Sequence, residues 1–189
     1  SSSSSSTSSV AEVQSPTESI SDAVEIRDQM ILQERNKGFI SVRLSDDTVL
    51  VAGGIGNGCG AKDRELKTAE IFNEKTKERR EISKLKSARA FASSITLNDG
   101  RILITGGTYC RHSGVFGWIQ YSMKDAEIYN PKTQSFEKIA NMNHERSSHS
   151  STLLEDGRVL IQGEQKNSNN SDTVEIFDPK TGEFIDLES

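Results

Sequence analysis

The chain has 189 residues, a formal net charge of −5 and a sequence pI of about 5.3. This length allows one domain or two small ones, and the acidic balance argues against a nucleic-acid partner, which usually binds a basic face. No apolar run approaches the roughly 18–20 residues that span a bilayer, and two cysteines are too few for a disulfide scaffold. The cellular compartment stays open on these grounds.

The N-terminal segment differs in composition from the rest. Residues 1–19 are mostly serine and offer little apolar area against the entropy of ordering, so we predict a disordered tail. Such a segment serves as a flexible linker, or as a phosphorylated or glycosylated stalk. Residues 20–35 fit a helical face loosely, but residues 21–28 resemble residues 171–178. We therefore favour an edge strand or a cap over residues 20–35.

From about residue 36, one pattern of strand, turn, β-branched strand and glycine occurs three times. The turns contain Asp46, Asp99 and Asp156, and in the second and third copies a glycine follows the aspartate. Asp-Gly is a strong hairpin signal because Gly takes a positive φ at little cost. The β-branched run after it suits a strand buried on both faces. The glycines that end this strand are Gly53, Gly54, Gly106, Gly107 and Gly163.

Each glycine is followed by a loop of different length, which indicates surface loops on one side of the array. A third strand then carries a glutamate at the same place in each copy, and a turn with Pro in two copies leads to a fourth strand. We expect the fourth strands to run through Ile82, Ile139 and Leu187. The repeated glutamates are Glu70, Glu127 and Glu175.

Four short strands in about 50 residues are the period of a β-propeller blade. The double glycine, the Glu-x-Tyr/Phe before Asn/Asp-Pro-Lys-Thr, the following aromatic and Arg-x-x-His resemble kelch repeats, over about residues 36–187. The resemblance is strongest to the bacterial kelch style and implies an all-β fold, with three four-stranded propeller blades at residues 36–86, 87–142 and 143–189. The fullest match consists of Gly106, Gly107, Glu127, Tyr129, Pro131, Thr133, Phe136, Met142, Arg146 and His149.

The resemblance also shows departures and an incomplete ring. Arg79 stands where an aromatic is expected, Glu164 replaces the second glycine of the third copy, and Phe39 and Ala92 stand at the His149 position. Kelch propellers commonly close with six or seven blades, so three blades would expose sheet edges and apolar faces. We expect either a longer native chain or self-association of two chains to complete the propeller.

The repeated glutamates favour a structural role over acid–base catalysis. We expect them to bond to Arg89 or Arg146 in a neighbouring repeat and to hold the blades in register. The glycine-rich residues 53–60 lack the Gly-Lys-Ser/Thr ending of a phosphate-binding loop, so we interpret the glycines as strand ends and points of close backbone approach.

The stretch from Thr108 to Lys124 holds the only Trp, two of the three Tyr and one Cys. Aromatic residues beside Arg are typical of binding hot spots, they also stack on sugar rings, and long loops often carry function. We predict a binding loop on the propeller rim here, with packing over a blade edge as the alternative. The candidate binding residues are Tyr109, Arg111, His112, Phe116, Trp118 and Tyr121.

Cysteines and histidines give weaker signals. Cys59 and Cys110 follow the glycines of successive copies, so a disulfide between them fits the geometry, with two unpaired residues as the alternative. The three histidines share no metal-ligand motif, and we predict neither a metal site nor a cofactor. A glycosylation sequon begins at Asn169 and matters only in a secretory context.

The variable rim loops and the lack of a catalytic constellation favour a non-enzymatic binding or scaffold module that recognises a protein or a glycan through rim loops. The alternative is part of a kelch-fold enzyme, because some kelch-like propellers are copper-radical oxidases resembling galactose oxidase and others are sialic-acid isomerases. The oxidase needs two Tyr, two His and a Cys crosslinked to Tyr. Tyr109, Tyr121, His112 and Cys110 are suitable types in one loop, whereas the family's ligands are dispersed over several blades. Fold alone does not license a function.

Overall fold

The structure, a computed structural model, describes residues 38–45, 47–56, 59, 66–163 and 173–187. The predicted serine-rich tail, the segment 20–35 and the sequon at Asn169 lie outside these residues, as do Asp46 and Glu164. Within the described part, the chain forms fourteen strands and no helix with the length and hydropathy needed to cross a bilayer. The all-β class predicted from the sequence is confirmed.

Twelve of the described strands form three antiparallel sheets, in each of which the strands lie side by side in chain order. Sheet 1 contains β1 (Ile40–Arg43), β2 (Thr48–Ala52), β3 (Ala69–Asn73) and β4 (Arg79–Glu81). Sheet 2 contains β5 (Ser93–Thr96), β6 (Ile102–Thr105), β9 (Ala126–Asn130) and β10 (Ser135–Lys138). Two further strands, β7 (Thr108–Ser113) and β8 (Gly117–Ser122), follow β6 in the chain and pair with each other as a separate two-stranded sheet. Sheet 3 contains β11 (Ser150–Leu153), β12 (Val159–Gln162), β13 (Val174–Asp178) and β14 (Glu183–Asp186).

The fourth strands end one residue earlier than the sequence predicts. Ile82, Ile139 and Leu187 lie beyond the strand ends, although the N–H group of each still donates one last hydrogen bond to the carbonyl of the first residue of the third strand. The ladder therefore continues by one bond after the regular strand has ended, which is why the apolar pattern extends past it.

The Asp-Gly turns form the hairpins that the sequence predicts in sheets 2 and 3. Gly100 and Gly157 both have a φ of +87°, a conformation that favours glycine. Asp156 accepts hydrogen bonds from the backbone N–H of Arg158 at 3.0 Å and from its Nε at 2.7 Å. These bonds lower the pKa of the Asp156 carboxyl below its usual value. The local Asp-Gly-Arg pattern thus fixes the turn by itself.

Two apolar clusters lie between the sheets. Sheets 1 and 2 enclose buried residues such as Leu50 and Ile104, and sheets 2 and 3 enclose residues such as Leu103 and Ile161. Truncating one of these side chains to Ala costs about 2–5 kcal/mol. No sheet buries both its faces alone, so stability depends on the contacts between sheets, as expected for stacked repeats.

Aromatic pairs close these clusters at the outer strands. Tyr129 packs against Phe136 with ring centroids 4.8 Å apart, and Phe177 packs against Phe184 at 4.9 Å. In sheet 1, Arg79 occupies the place of Phe136, as the sequence alignment predicts. At the opposite end of the sheets, β5 contacts both β1 and β11, so the sheets converge at their first strands.

Strand direction divides the molecule into two sides. We call the end with Gly100 and Gly157 the turn side. The other end, the glycine side, carries the glycines after β2, β6 and β12, the β7–β8 hairpin and the connections that lead from one sheet to the next.

The face of sheet 3 that points away from sheet 2 carries an apolar residue on its outer strand, β14. The corresponding positions of sheets 1 and 2 carry charged residues. Ile185 lies opposite Ile176, where the other two sheets carry Arg80 and Glu137. Ile185 is 47% exposed, and Leu187 is 50% exposed. This face resembles those that sheets 1 and 2 bury against the next sheet.

Candidate functional site

Arg89 lies in the connection between sheets 1 and 2 and is completely buried. Its Nη2 donates to Glu127 Oε2 at 2.7 Å, and its Nη1 donates to the carbonyls of Gly106 at 2.8 Å and Asp125 at 3.0 Å. Its own carbonyl accepts a hydrogen bond from the N–H of Gly54 at 2.8 Å. Arg89 is therefore bonded to sheet 1 through its backbone and to sheet 2 through its side chain.

Arg146 repeats this arrangement between sheets 2 and 3. Its Nε donates to Glu175 Oε2 at 3.0 Å, and its Nη1 donates to the carbonyls of Gly163 at 3.0 Å and Thr173 at 2.8 Å. Its carbonyl accepts from the N–H of Gly107 at 2.8 Å. Both arginines and their glutamates are fully buried, and a buried charge of this kind is tolerated because its partner and several dipoles balance it.

Each buried arginine–glutamate pair lies within one predicted repeat, which differs from the expectation. We expected each glutamate to bond an arginine of a neighbouring repeat, but Arg89 and Glu127 both fall within the predicted repeat 87–142. The contact with the preceding sheet is made by the arginine backbone, which sequence patterns do not reveal.

Backbone N–H groups complete the hydrogen bonding of the two buried glutamates. Glu127 also accepts hydrogen bonds from the backbone N–H groups of Lys86 at 2.6 Å and Ser87 at 3.2 Å. Glu175 accepts from the backbone N–H groups of Asn143 and His144. These bonds satisfy both carboxylates and support a structural role.

The glycines allow the arginine carbonyls to approach closely. A Cβ atom on Gly53 would lie 2.6 Å from the carbonyl oxygen of Arg89, and one on Gly106 would collide with the carbonyl of Arg146. Both glycines also have a positive φ, +65° and +61°. We infer that the glycines serve backbone approach, as the sequence predicts, rather than phosphate binding.

Glu70 has a different partner. In sheet 1 it lies beside Arg79, whose Nη2 donates to Glu70 Oε1 at 2.9 Å. The Arg79 side chain is largely exposed, so this pair contributes little to stability compared with the two buried ones.

His149 lies immediately before β11 and is buried between sheets 2 and 3. Its Nε2 is hydrogen-bonded to Thr105 Oγ1 at 2.7 Å. Burial, together with the positive charge of Arg146, lowers the pKa of His149 from 6.5 to about 4. The imidazole is therefore neutral at pH 7, and His149 serves packing between sheets.

The stretch from Thr108 to Lys124, predicted as a rim loop, is mostly a β-hairpin. β7 and β8 pair over six positions, from Thr108 opposite Ser122 to Ser113 opposite Gly117. The hairpin joins the rest of the described chain at its base, where Thr108 pairs with Ala90. The predicted loop is therefore a regular hairpin, because the aromatic and β-branched residues of this stretch favour strands.

The hairpin brings the predicted binding residues together. Tyr109 and Tyr121 lie opposite each other and stack with ring centroids 5.6 Å apart. His112 and Trp118 form an edge-to-face pair at 5.3 Å on the other face. Arg111 is exposed and lies on the same face as the tyrosine pair, since residues two apart in a strand share a face.

The hairpin tip is apolar and exposed. Val115 is 89% exposed and Phe116 is 79% exposed, the two highest values among the large apolar side chains that the structure describes. Sequence reasoning included Phe116 and missed Val115, although Val115 lies between the glycines that mark the turn.

A disulfide links the hairpin to the connection that follows β2. Cys59, in this connection, is bonded to Cys110 on β7, and the Cα atoms lie 5.5 Å apart. Of the two alternatives that the sequence left open, the structure therefore contains the disulfide.

Comparisons with known proteins agree with this architecture. No family model matches the chain. The human protein Kelch-like protein 15 is 31% identical over 97 residues, which are 51% of this chain and 16% of that protein. A solved structure of YjhT matches with a TM-score of 0.57 at 16% identity, over 81% of this chain and 51% of that one. The chain is similar in sequence to a kelch-like protein over half its length and has the propeller-blade fold. Sheets 1 to 3 are its blades.

The residues proposed for a copper-radical site take other roles in this chain. The sulfur of Cys110 is bonded to Cys59 and so is not available for a crosslink to tyrosine. Among the described residues, no three His, Cys, Asp or Glu side chains are grouped so that they could hold a metal ion.

A cavity of about 450 Å³ opens on the turn side between the second and third blades. Sequence reasoning missed it, because its walls come from three turns that are neighbours only in space. Its carboxylates at Asp99 and Asp156 already bind Arg101 and Arg158. The lining residues are Leu97, Asn98, Asp99, Asp156, Gly157, Arg158, Asp178, Pro179 and Lys180.

Proposed function

We propose that this chain is a non-enzymatic binding module and that the β7–β8 hairpin contacts a protein partner. The observation that carries the proposal is the exposed apolar tip, formed by Val115 and Phe116. Large apolar side chains presented together on a protruding structure are typical of interaction sites. Binding of a partner that buries both side chains removes their apolar surface from water, and this burial favours the complex.

The construction of the hairpin supports this role. The disulfide at Cys110 and the stacked tyrosine pair hold it in one conformation before a partner arrives. A surface that is already ordered loses less conformational entropy on binding, which increases affinity. Aromatic residues and Arg111 around the tip have the composition of a binding hot spot.

The buried arginine–glutamate pairs support a binding module over an enzyme. The charged groups that repeat in the blades are consumed by bonds between sheets.

A capture experiment with matched variants tests the proposal. The immobilised full chain, its Val115→Ser/Phe116→Ser variant and a Lys132→Ser control are each exposed to a cell extract, and retained proteins are identified by mass spectrometry. Lys132 is a suitable control because it is exposed and lies in the turn between β9 and β10, on the turn side and away from the hairpin. We expect proteins that the wild type and the control retain and the hairpin variant loses.

Identical sets of retained proteins for all three would contradict the proposal. The same three proteins are also applied to a glycan array. Binding to a glycan that the hairpin variant loses, without a hairpin-dependent protein, would replace the protein partner by a carbohydrate.

A further inference from the structure

We infer that the partner contributes an extended acidic peptide segment, which adds as a third strand to the outer edge of β7. This inference rests on the proposed function and specifies how the hairpin binds. It depends on three features of the described residues: the direction of the backbone groups of β7, the charge of the hairpin and the absence of a carboxylate beside Arg111.

The outer edge of β7 is paired only at its beginning. Ala90 N–H donates to the Thr108 carbonyl at 3.2 Å, and Thr108 N–H donates to the Ala90 carbonyl at 2.7 Å. Backbone groups alternate in direction along a strand, so the N–H and C=O groups of Cys110 and His112 point to this same outer side. Within the described residues, these groups have no hydrogen-bond partner.

Open backbone groups of this kind accept an added strand. A peptide that pairs with Cys110 and His112 continues the ladder that Ala90 begins at Thr108. In such strand addition, main-chain hydrogen bonds provide affinity, and alternate side chains of the peptide provide specificity. Natural proteins usually protect a free edge, so an edge without hydrogen-bond partners among the described residues favours a binding role.

The charge of the hairpin predicts the side chains of the peptide. The hairpin, residues 108–122, contains Arg111 and no Asp or Glu, in a chain whose net charge is −5. The positive charge of Arg111 attracts an acidic segment and disfavours a basic one.

Arg111 is exposed and has no ion-pair partner among the described residues, and Arg80 shares this property. An acidic residue of the added strand on the face of Tyr109 and Tyr121 would pair with Arg111, with apolar residues beside the tyrosines. Four other surface arginines do have carboxylate partners: Arg43, Arg79, Arg101 and Arg158.

The test selects peptides and then removes one backbone donor. A phage library of random peptides about 12 residues long is selected on the full oxidised chain, and the enriched peptides are synthesised. Their affinities are measured by fluorescence polarisation for the wild type, for His112→Pro and for His112→Val. Proline removes the outward N–H of His112 but spares the bonds to β8, which edge strands tolerate. Valine removes the same side chain and retains the N–H.

We expect acidic peptides with alternating apolar residues, whose affinity falls at least about tenfold in His112→Pro and little in His112→Val. Arg111→Glu should also weaken binding, whereas Arg80→Glu, the matched control on sheet 1, should not. Circular dichroism and an intact disulfide verify that each variant is folded.

Three outcomes would overturn the inference. Peptides that require Phe116 but bind His112→Pro normally would leave the proposed function intact and refute strand addition. Selected peptides without an acidic bias would refute the charge argument. A dimer in solution that His112→Pro converts to a monomer would show that a second copy of the chain occupies the edge instead.

Discussion

Acidification should destabilise the chain through His149. In the folded protein, burial and Arg146 lower the pKa of His149 to about 4, whereas in the unfolded chain it keeps its ordinary value of 6.5. Between these two values the unfolded chain binds a proton that the folded chain does not. Stability therefore falls as the pH falls from about 6.5 to about 4, and above this window His149 contributes no pH dependence.

The size of the effect follows from the difference between the two pKa values. Each unit corresponds to about 1.4 kcal/mol, so His149 alone should lower the free energy of unfolding by about 3 kcal/mol across the window. Since small domains have about 5–15 kcal/mol of stability in total, this loss is large enough to measure.

Urea unfolding followed by circular dichroism, at a series of pH values, measures this free energy. His149→Gln is the matched variant, because it removes the titrating group and retains a side chain able to hydrogen-bond with Thr105. Carboxylates and the other histidines titrate in both proteins, so the difference between the two pH profiles isolates His149. Parallel profiles between about pH 6.5 and pH 4.5 would refute the reasoning.

Three further predictions concern the glycines, the disulfide and the free sheet face. Gly106→Ala should lower the free energy of unfolding by about 1–3 kcal/mol more than Gly100→Ala. Both glycines have a positive φ, but only a Cβ at position 106 would collide with a carbonyl. Equal decreases in urea unfolding would contradict this. Replacing Cys59 and Cys110 by Ala should cost up to about 4 kcal/mol for a loop of this length, and an unchanged melting temperature would argue against a disulfide in solution. Light scattering should show a mass that rises with concentration and falls in Ile185→Lys, whereas a constant monomer mass would exclude self-association through sheet 3.

The repeated elements could be predicted because each depends on local chemistry. Asp99-Gly100 and Asp156-Gly157 define their turns through neighbouring residues only, and glycine after a β-branched run ends the strand whatever surrounds it. The repeated pattern of strands and turns thus supplied the number of strands and their order, and the resemblance to kelch repeats supplied the propeller architecture. The repeat boundaries at residues 36–86, 87–142 and 143–189 stay a prediction.

The candidate site could be predicted less well, because it depends on how strands meet in space. Variation in length between copies suggested a loop at residues 108–124, but Tyr109 and Tyr121 face each other across a regular hairpin. The opposing aromatic residues were a signal for strands that the length argument hid. The disulfide stayed one of two alternatives, because only the folded chain shows that the cysteines are close. The roles of the binding residues stay a prediction.

The arginine bonds between sheets have a consequence for dividing the chain. A chain truncated directly after β10 would keep every strand of sheets 1 and 2 but lose the carbonyl that accepts from Gly107. A chain truncated just after Arg146 would keep that carbonyl but bury a guanidinium without Glu175. Either truncation leaves a buried polar group without its hydrogen-bond or ion-pair partner, and this lowers the stability of the truncated chain.

The unit of folding is therefore offset from the visible sheet. Each sheet is hydrogen-bonded to the arginine in the connection to the next sheet. Neighbouring sheets should therefore be protected from hydrogen exchange together, and the C-terminal sheet should not unfold alone. Grafting one blade into another propeller would require moving the glutamate, its arginine and the preceding glycine as a set.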